Sequence, residues 1–382
     1  MKNNFEFQNP VKIIFGKGTI TRLAQELPKN EKIMVTYGGG SVKQNGVYEQ
    51  VCQALKGFNY VEFWGIEPNP TVETLRKAIT LGKQENITYI LAVGGGSVID
   101  GTKLISSAIP YSGDAWELVL KPSKIGKMIP FASVLTLPAT GSEMNCGAVI
   151  SNKEKQEKYA FYSSYPQFSI LDPTVTFSLP DFQIACGIAD TFIHVLEQYL
   201  TVTEESPLMD RWSEGIMQTL VELAPLIKAN KTNYNAMSEF MMCATLALNG
   251  FTAMGITEDW ATHLIGHEIT ALHGTTHGQT LVIVLLGLMD VMRDQKRDKI
   301  LQFGSRVFNI TEGNEEERID KTINSCEHFF NSIGLATKLH ELNIGNETIN
   351  IIKERFLQRG THLGEQGNID GNVTEKILKK CL

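Results

Sequence analysis

The apolar residues divide the chain into two halves with different patterns. In the first half, short apolar runs alternate with segments of helical periodicity. The predicted strands are 11–15, 32–37, 60–64, 89–93 and 132–137, and the predicted helices between them are 19–26, 43–55 and 72–84. Because strands connected through helices form βαβ units, this half predicts a mainly parallel sheet with right-handed crossovers.

From Asp181 onward, apolar residues recur at the helical period of about 3.6 residues. The predicted helices are 182–200, 207–229, 233–250, 257–272, 277–294, 315–333, 347–357 and 373–381. The pattern of apolar strands does not return in this half. The sequence therefore predicts an α/β domain over residues 1–178, followed by a helical domain over residues 179–382.

Composition excludes several classes of protein. The 382 residues are 42% hydrophobic and 20% charged, with a net charge of −7 and no long basic run, which argues against nucleic acid or a membrane surface as partner. The N-terminus lacks the apolar core of a signal peptide. Apolar run 281–289 is much shorter than the roughly 18 residues that cross a bilayer. With six scattered cysteines and no C-x-x-C spacing, we predict a cytoplasmic protein with reduced thiols.

Three predicted strands run into turns rich in Gly, Ser and Thr. Their sequences are GGGS at 38–41, GGGSVID at 94–100 and PATGSE at 138–143. Glycines at the carboxyl edge of a parallel sheet let backbone N–H groups approach phosphates, and a following helix adds its positive dipole end. None of the turns matches G-x-G-x-x-G or the P-loop pattern. Three such turns on one predicted edge indicate a nucleotide site in an atypical α/β domain.

The first of these turns predicts the coenzyme. Sheets that bind NAD commonly hold the adenosine ribose hydroxyls with an acidic residue, which would repel a 2′-phosphate. The turn Gly38, Gly39, Gly40, Ser41 contains no acidic residue and is followed closely by Lys43. A 2′-phosphate can instead be bound by the glycine N–H groups, the Ser41 hydroxyl and Lys43. We therefore predict a preference for NADP(H), with NAD(H) as the alternative.

Histidines in the second half indicate a metal site. His263 and His267 are four residues apart, as are Asp190 and His194. On a helix, the two side chains of each pair therefore lie on the same face. On apolar helices, unpaired polar groups of this kind cost roughly 2–7 kcal/mol or more, and a divalent ion would satisfy them. An Asp and His set without thiolate suits Zn²⁺ or Fe²⁺. Spacing alone leaves the further ligand open among His267, His273 and His277.

These motifs occur together, and in this order, in one known family. They are Asn9-Pro10, FGKG at 15–18, GIEPNP at 65–70, GGGS-x-x-D at 94–100, TGSE at 140–143, LDP at 171–173 and the helical histidines. On these motifs, the chain resembles the iron-containing (group III) alcohol dehydrogenases. Within that family, it resembles the branch of NADPH-dependent aldehyde reductases and butanol dehydrogenases. The resemblance implies a dehydroquinate-synthase-like fold, with an N-terminal parallel-sheet nucleotide-binding domain and a C-terminal helical metal-binding domain.

The resemblance also implies roles for individual residues. The implied metal ligands are Asp190, His194, His263 and His277. His267 lies outside that ligand set, and we predict that it is a catalytic residue that relays a proton and that His273 is structural. The implied coenzyme contacts are Gly95, Gly96, Ser97 and Asp100 at the second turn, Thr136, Thr140 and Ser142 at the third, and Lys158 at the ribose.

The predicted reaction is reversible hydride transfer between NADP(H) and a small aldehyde or primary alcohol, in a homodimer. The metal polarises the carbonyl oxygen as a Lewis acid. Phe251 and Trp260 are expected mainly to pack the core, with room left for short apolar chains. One alternative is an NAD-dependent dehydrogenase for glycerol or a diol on the same fold. Another is a non-catalytic nucleotide- or metal-binding protein, against which the intact Asp and His set argues.

Overall fold

The computed structural model describes residues 3–201 and 206–382, which form two compact units. The sheet unit comprises Gln8–Leu179 and Lys231–Thr245, and the helical unit comprises Pro180–Asn230 and Leu246–Leu382 with the N-terminal residues up to Phe7. The predicted fold class is confirmed, because a parallel sheet with helices precedes a helical half. Segment 231–245 lies in the helical half of the sequence but belongs to the sheet unit.

A six-stranded parallel sheet organises the sheet unit. The strands are β1 (Lys12–Phe15), β2 (Lys32–Tyr37), β3 (Asn59–Phe63), β4 (Tyr89–Gly94), β5 (Phe131–Leu135), β6 (Gly147–Asn152), β7 (Glu157–Tyr162) and β8 (Phe168–Leu171). The sheet order is β1-β8-β5-β4-β2-β3, while β6 and β7 form a separate antiparallel hairpin. All five predicted strands are present. The hairpin and β8 were not predicted, because the hairpin encloses a run of charged residues and β8 has only four residues.

Helices cover both faces of this sheet. They are α1 (Leu23–Glu26), α2 (Val47–Ala54), α3 (Val72–Gln84), α4 (Gly96–Ala108) and α5 (Ala115–Leu120). Alternate β4 residues enter different apolar cores, Ile90 one and Leu91 the other, as the period of a strand requires. Helix α2 begins later than predicted, because Gly46 takes a left-handed φ of 77° and Asn45 Oδ1 accepts the Val47 N–H at 3.2 Å.

Most of the described residues from 181 onward are helical. The helices are α6 (Asp181–Tyr199), α7 (Pro207–Ala229), α8 (Tyr234–Ala247), α9 (Ala261–His273), α10 (His277–Val291), α11 (Arg297–Val307), α12 (Glu315–Ser332), α13 (Asn346–Arg359) and α14 (Gly371–Lys380). Helix α11 was not predicted, because its charged residues obscure a short buried stripe of Ile300, Phe303 and Val307. Among the described residues, no helix is both long and apolar enough to cross a membrane.

Helices α6 and α10 approach closely at a glycine. A Cβ atom added to Gly278, the second residue of α10, would lie 2.5 Å from the backbone oxygen of Cys186 on α6. Only a residue without a side chain fits at this distance. Gly278 follows His277 directly, so the contact also determines how near the His277 side chain comes to α6.

Gly278→Ala should therefore destabilise the protein by about 1–3 kcal/mol, the usual cost of overpacking a core. Gly215→Ala in α7 is the matched control, because no atom lies within 4 Å of its added Cβ. Alanine there should stabilise the helix by about 0.5–1 kcal/mol. Thermal melting of both variants and of the parent protein measures the two effects. A Gly278→Ala variant that melts at the same temperature as the parent would contradict the close approach of the two helices.

Candidate functional site

The three glycine turns lie at one edge of the sheet. They follow β2, β4 and β5, which are adjacent and parallel, so their carboxyl ends share an edge. After β2 the chain moves to β3 on one side and then returns to β4 on the other. This reversal is a topological switch point, where open α/β sheets bind ligands in the crevice beyond the strand ends. The first and second glycine turns flank that crevice.

The second turn packs against the third with no room for side chains. A Cβ atom on Gly96 would lie 2.4 Å from Thr140 Oγ1, and one on Gly95 would lie 3.0 Å from Leu137 Cβ. Gly95 is the N-cap of α4, and no side chain caps that end. The first N–H groups of a helix have no partner within it. The start of α4 can therefore receive a phosphate.

Asp100, one turn into α4, holds the third turn in place. Its Oδ1 accepts the Ser142 hydroxyl at 2.5 Å and its Oδ2 accepts the Val149 N–H at 2.9 Å. Burial raises the pKa of Asp100, while the nearby ammonium group of Lys103 and these hydrogen bonds oppose the increase. Both carboxylate oxygens thus contact protein groups, and Asp100 links α4 to the loop that carries Thr140.

Lys103 completes this network and was missed from the sequence. The side chain is fully buried, and its Nζ donates to Ser142 Oγ at 2.8 Å, to Asn145 Oδ1 at 2.8 Å and to the Gly147 oxygen at 2.6 Å. Burial lowers the pKa of Lys103 to about 8, and the Asp100 carboxylate opposes that decrease. The spacing of Asp100 and Lys103, three residues apart on an apolar helix, was the available signal.

The other predicted coenzyme residues lie in the same unit. Lys158 is buried on β7 and donates to Asn69 Oδ1 at 2.9 Å. Beside the first turn, Lys43 Nζ lies 4.0 Å from the centre of the Trp64 ring. This cation–π contact holds a positive charge at the end of the glycine turn.

In the helical unit, one carboxylate oxygen faces three imidazoles. Asp190 Oδ1 on α6 lies 3.4 Å from His194 Nδ1, 3.6 Å from His263 Nε2 on α9 and 3.8 Å from His277 Nε2 on α10. One donor atom each from Asp190, His263 and His277 lies within 4.8 Å of the others. His194 is outside that group of three, although its ring centre is 4.4 Å from that of His263. The structure therefore brings together the four residues that the resemblance implies.

These donors fit a divalent ion. Two ligands that each lie about 2.1 Å from a tetrahedral ion are about 3.4 Å apart, close to the separations around Asp190. Among described residues, no hydrogen bond satisfies the buried atoms His194 Nδ1 and His263 Nε2. Burial lowers the pKa of His194 to about 4, so its imidazole is neutral near pH 7 and keeps a lone pair for a metal.

Glu197 also contacts this cluster and was missed from the sequence. It follows Asp190 by seven residues on α6, a spacing that places both on one helix face. Its carboxylate contacts His263 Nδ1. Burial lowers the pKa of His263, but the carboxylates of Glu197 and Asp190 outweigh this effect and raise it to about 9. The sequence signal was a third polar position on an apolar helix.

The neighbouring residues have separate positions. The His267 ring centre is 5.2 Å from that of His277, beside the cluster. His273 Nε2 pairs with Thr348 Oγ1 at 2.8 Å, at the end of α9. The Trp260 ring centre is 5.3 Å from that of His263. Phe251 instead stacks on another aromatic ring, that of Trp212, with centres 4.2 Å apart.

Comparison with protein families identifies relatives for both halves. The family model of iron-containing alcohol dehydrogenases matches residues 10–173. The model of the C-terminal part of the Fe-containing alcohol dehydrogenase family matches residues 184–382. Together the two matches cover more than half of the chain.

Individual relatives match over nearly their whole length. The chain is 46% identical to the NADPH-dependent aldehyde reductase YqhD of Escherichia coli, over 99% of both chains. It is 38% identical to the probable NADH-dependent butanol dehydrogenase 1 of Bacillus subtilis, over 99% of this chain and 100% of that protein. Its fold matches the crystal structure of E. coli YqhD with a TM-score of 0.98, 45% identity and coverage of 100% and 99%. The NADH-dependent butanol dehydrogenase A of Thermotoga maritima matches with a TM-score of 0.95, 34% identity and coverage of 100% and 99%.

The Lys103 network predicts a large effect for a single substitution. Lys103→Met removes the ammonium group beside the buried Asp100 carboxylate and should lower the free energy of unfolding by about 3–5 kcal/mol. The matched control is Lys124→Met, which removes an exposed ion pair with Glu117 and should change stability little. Urea denaturation measures both variants. A Lys103→Met protein as stable as the control would contradict the network.

Proposed function

Because this chain belongs to the iron-containing alcohol dehydrogenase family, we propose that it is a metal-dependent aldehyde reductase. It would transfer hydride between NADP(H) and small aldehydes or primary alcohols, as a dehydrogenase of the butanol type. The names of relatives on both sides of this reaction, an aldehyde reductase and a butanol dehydrogenase, support the substrate class.

One observation carries the proposal, the approach of three imidazole nitrogens to a single oxygen of Asp190 within 3.4–3.8 Å. We propose Asp190, His194, His263 and His277 as ligands of one Fe²⁺ or Zn²⁺ ion. This set contains oxygen and nitrogen but no thiolate, which suits either ion. The helical unit would then be the catalytic domain, from about residue 179, and the preceding α/β domain would bind the dinucleotide.

When bound, the metal supplies a Lewis acid for the carbonyl oxygen and the reduced coenzyme supplies the hydride. The protein's own residues then orient the reactants and move the proton. His267, beside His277, is proposed to relay a proton to the product oxygen. The Trp260 ring contacts the His263 ring and provides an apolar surface next to the metal ligands. Such a surface suits a short alkyl chain better than a polyol.

The coenzyme site is proposed at the glycine turns of the sheet. Gly95, Gly96 and Ser97 at the start of α4 would hold the pyrophosphate, next to Asp100. The remaining proposed contacts are Thr136, Thr140, Ser142 and Lys158. The first turn, Gly38, Gly39, Gly40 and Ser41, is free of carboxylates, and the Lys43 ammonium next to it favours a 2′-phosphate.

We also propose that the enzyme works as a homodimer in the cytoplasm. The dimer rests on the family resemblance. The location agrees with six cysteines that form no disulfide, because free thiols are typical of reducing compartments.

His277→Ala should remove a metal ligand and reduce turnover to background while the protein stays folded. The matched control, His273→Ala, removes an imidazole that pairs with Thr348 and should keep both metal and activity. Metal content by mass spectrometry, aldehyde reduction and circular dichroism measure the three properties. Near-normal metal content and activity in His277→Ala would refute the ligand assignment.

Initial rates test the reaction and the coenzyme together. Enzyme stripped by a chelator and reloaded with Zn²⁺ or Fe²⁺ should oxidise NADPH with butanal. It should oxidise NADH with a clearly lower kcat/KM, because only NADPH carries a 2′-phosphate for the first turn to bind. The stripped enzyme, before reloading, should be inactive. Equal efficiency with NADH would overturn the coenzyme preference. Activity with glycerol or diols and NAD⁺, but none with butanal, would favour a polyol dehydrogenase, and no activity at all would favour a binding protein.

A further inference from the structure

Glu197 is a buried carboxylate for which the proposed ligand set has no role. It lies on α6 together with Asp190 and His194, at positions i, i+4 and i+7, which place all three on one face of the helix. Only 3% of the residue is exposed to solvent. A buried carboxylate is costly unless several donors satisfy it, so its partners indicate what it does.

The carboxylate has three donors, all near the start of α9. Oε1 accepts the backbone N–H of Thr262 at 2.7 Å and that of His263 at 3.2 Å. Oε2 contacts Nδ1 of the His263 ring. The other ring nitrogen, Nε2, faces Asp190 Oδ1 at 3.6 Å. Glu197 and the converging donor atoms therefore lie on opposite sides of one imidazole.

We infer that Glu197 is a positioning residue that holds His263 with its proton on Nδ1 and presents the lone pair of Nε2 to the metal. This inference rests on the proposed metal centre. A carboxylate that accepts the Nδ1 proton selects the tautomer and makes Nε2 a stronger ligand. The two backbone N–H groups hold the carboxylate itself, so the ring orientation is imposed from α6 rather than by the metal alone.

Two substitutions separate this role from anchoring the helix. In Glu197→Gln the side-chain oxygen still accepts the backbone N–H groups, but the amide NH₂ faces Nδ1 and favours the tautomer with its proton on Nε2. Zinc affinity of the stripped full-length protein, measured by competition with a chromophoric chelator, should fall by about 10–100-fold. The metal-free melting temperature should fall less in Glu197→Gln than in Glu197→Ala, because the glutamine oxygen still accepts the two backbone N–H groups. Glu197→Ala should lower both affinity and melting temperature.

The control is Glu214→Gln, which alters another buried carboxylate of the helical unit, paired with Tyr199 at 2.9 Å and Arg306 at 2.7 Å. Its zinc affinity should equal that of the parent. A spectroscopic test uses zinc-loaded protein labelled with ¹⁵N-histidine. The strong hydrogen bond should place the His263 Nδ1 proton far downfield in the parent, and this signal should be lost in Glu197→Gln.

Several results would overturn the inference. Unchanged zinc affinity in Glu197→Gln, with tight binding by the parent, would remove the role of Glu197 and leave the metal centre intact. Equal losses of metal-free stability in Glu197→Gln and Glu197→Ala, with equal losses of affinity, would reduce Glu197 to a helix anchor. A parent protein that binds no zinc or iron would overturn the metal centre itself, and with it this role.

Discussion

The convergence of imidazole nitrogens on the buried Asp190 carboxylate constrains the helical unit. A carboxylate that is 3% exposed is costly among apolar side chains unless it is compensated, and α6, α9 and α10 each bring an imidazole nitrogen within 3.8 Å of it. The packing of these three helices brings the imidazoles to this position. The glycine after His277 lets α10 approach the backbone of α6, and Glu197 ties the start of α9 to the same helix. The geometry of the proposed metal ligands and the packing of α6, α9 and α10 therefore depend on each other.

The proposed coenzyme site places a different requirement on the sheet unit, because backbone N–H groups at glycine turns and helix starts are suited to binding phosphates. Close approach of the second and third turns requires residues without side chains, and Gly96 against Thr140 shows how little space remains. Such turns must be held from behind. Asp100 and Lys103 do this from within α4, with buried opposite charges whose hydrogen bonds are directed at the third turn. In the structure, these two side chains support the third turn through their hydrogen bonds to Ser142.

Local pattern predicted most of the long elements, although it missed the 13-residue helix α4, and it missed several short ones. Helices such as α6 and α7 show several turns of apolar periodicity, whereas β8 has four residues and α11 hides its apolar stripe among charges. The metal cluster shows the same limit. Asp190 and His194 share a helix, so their spacing was informative. A left-handed Gly274, with φ of 69°, ends α9 before α10 begins, so helical spacing could not extend from His263 to His277. The family resemblance identified His277.

The sequence by itself determined the two halves, the glycine turns, the absence of an acidic residue at the first turn and the pairs of polar residues on apolar helices. These are local properties, since periodicity records which face of an element is apolar. It does not record which element that face meets. Tertiary structure alone decided the order of the strands, the attachment of segment 231–245 to the sheet unit and the partners of Lys103 and Glu197. Those contacts join residues far apart in sequence, such as Glu197 and His263, and depend on how whole elements pack.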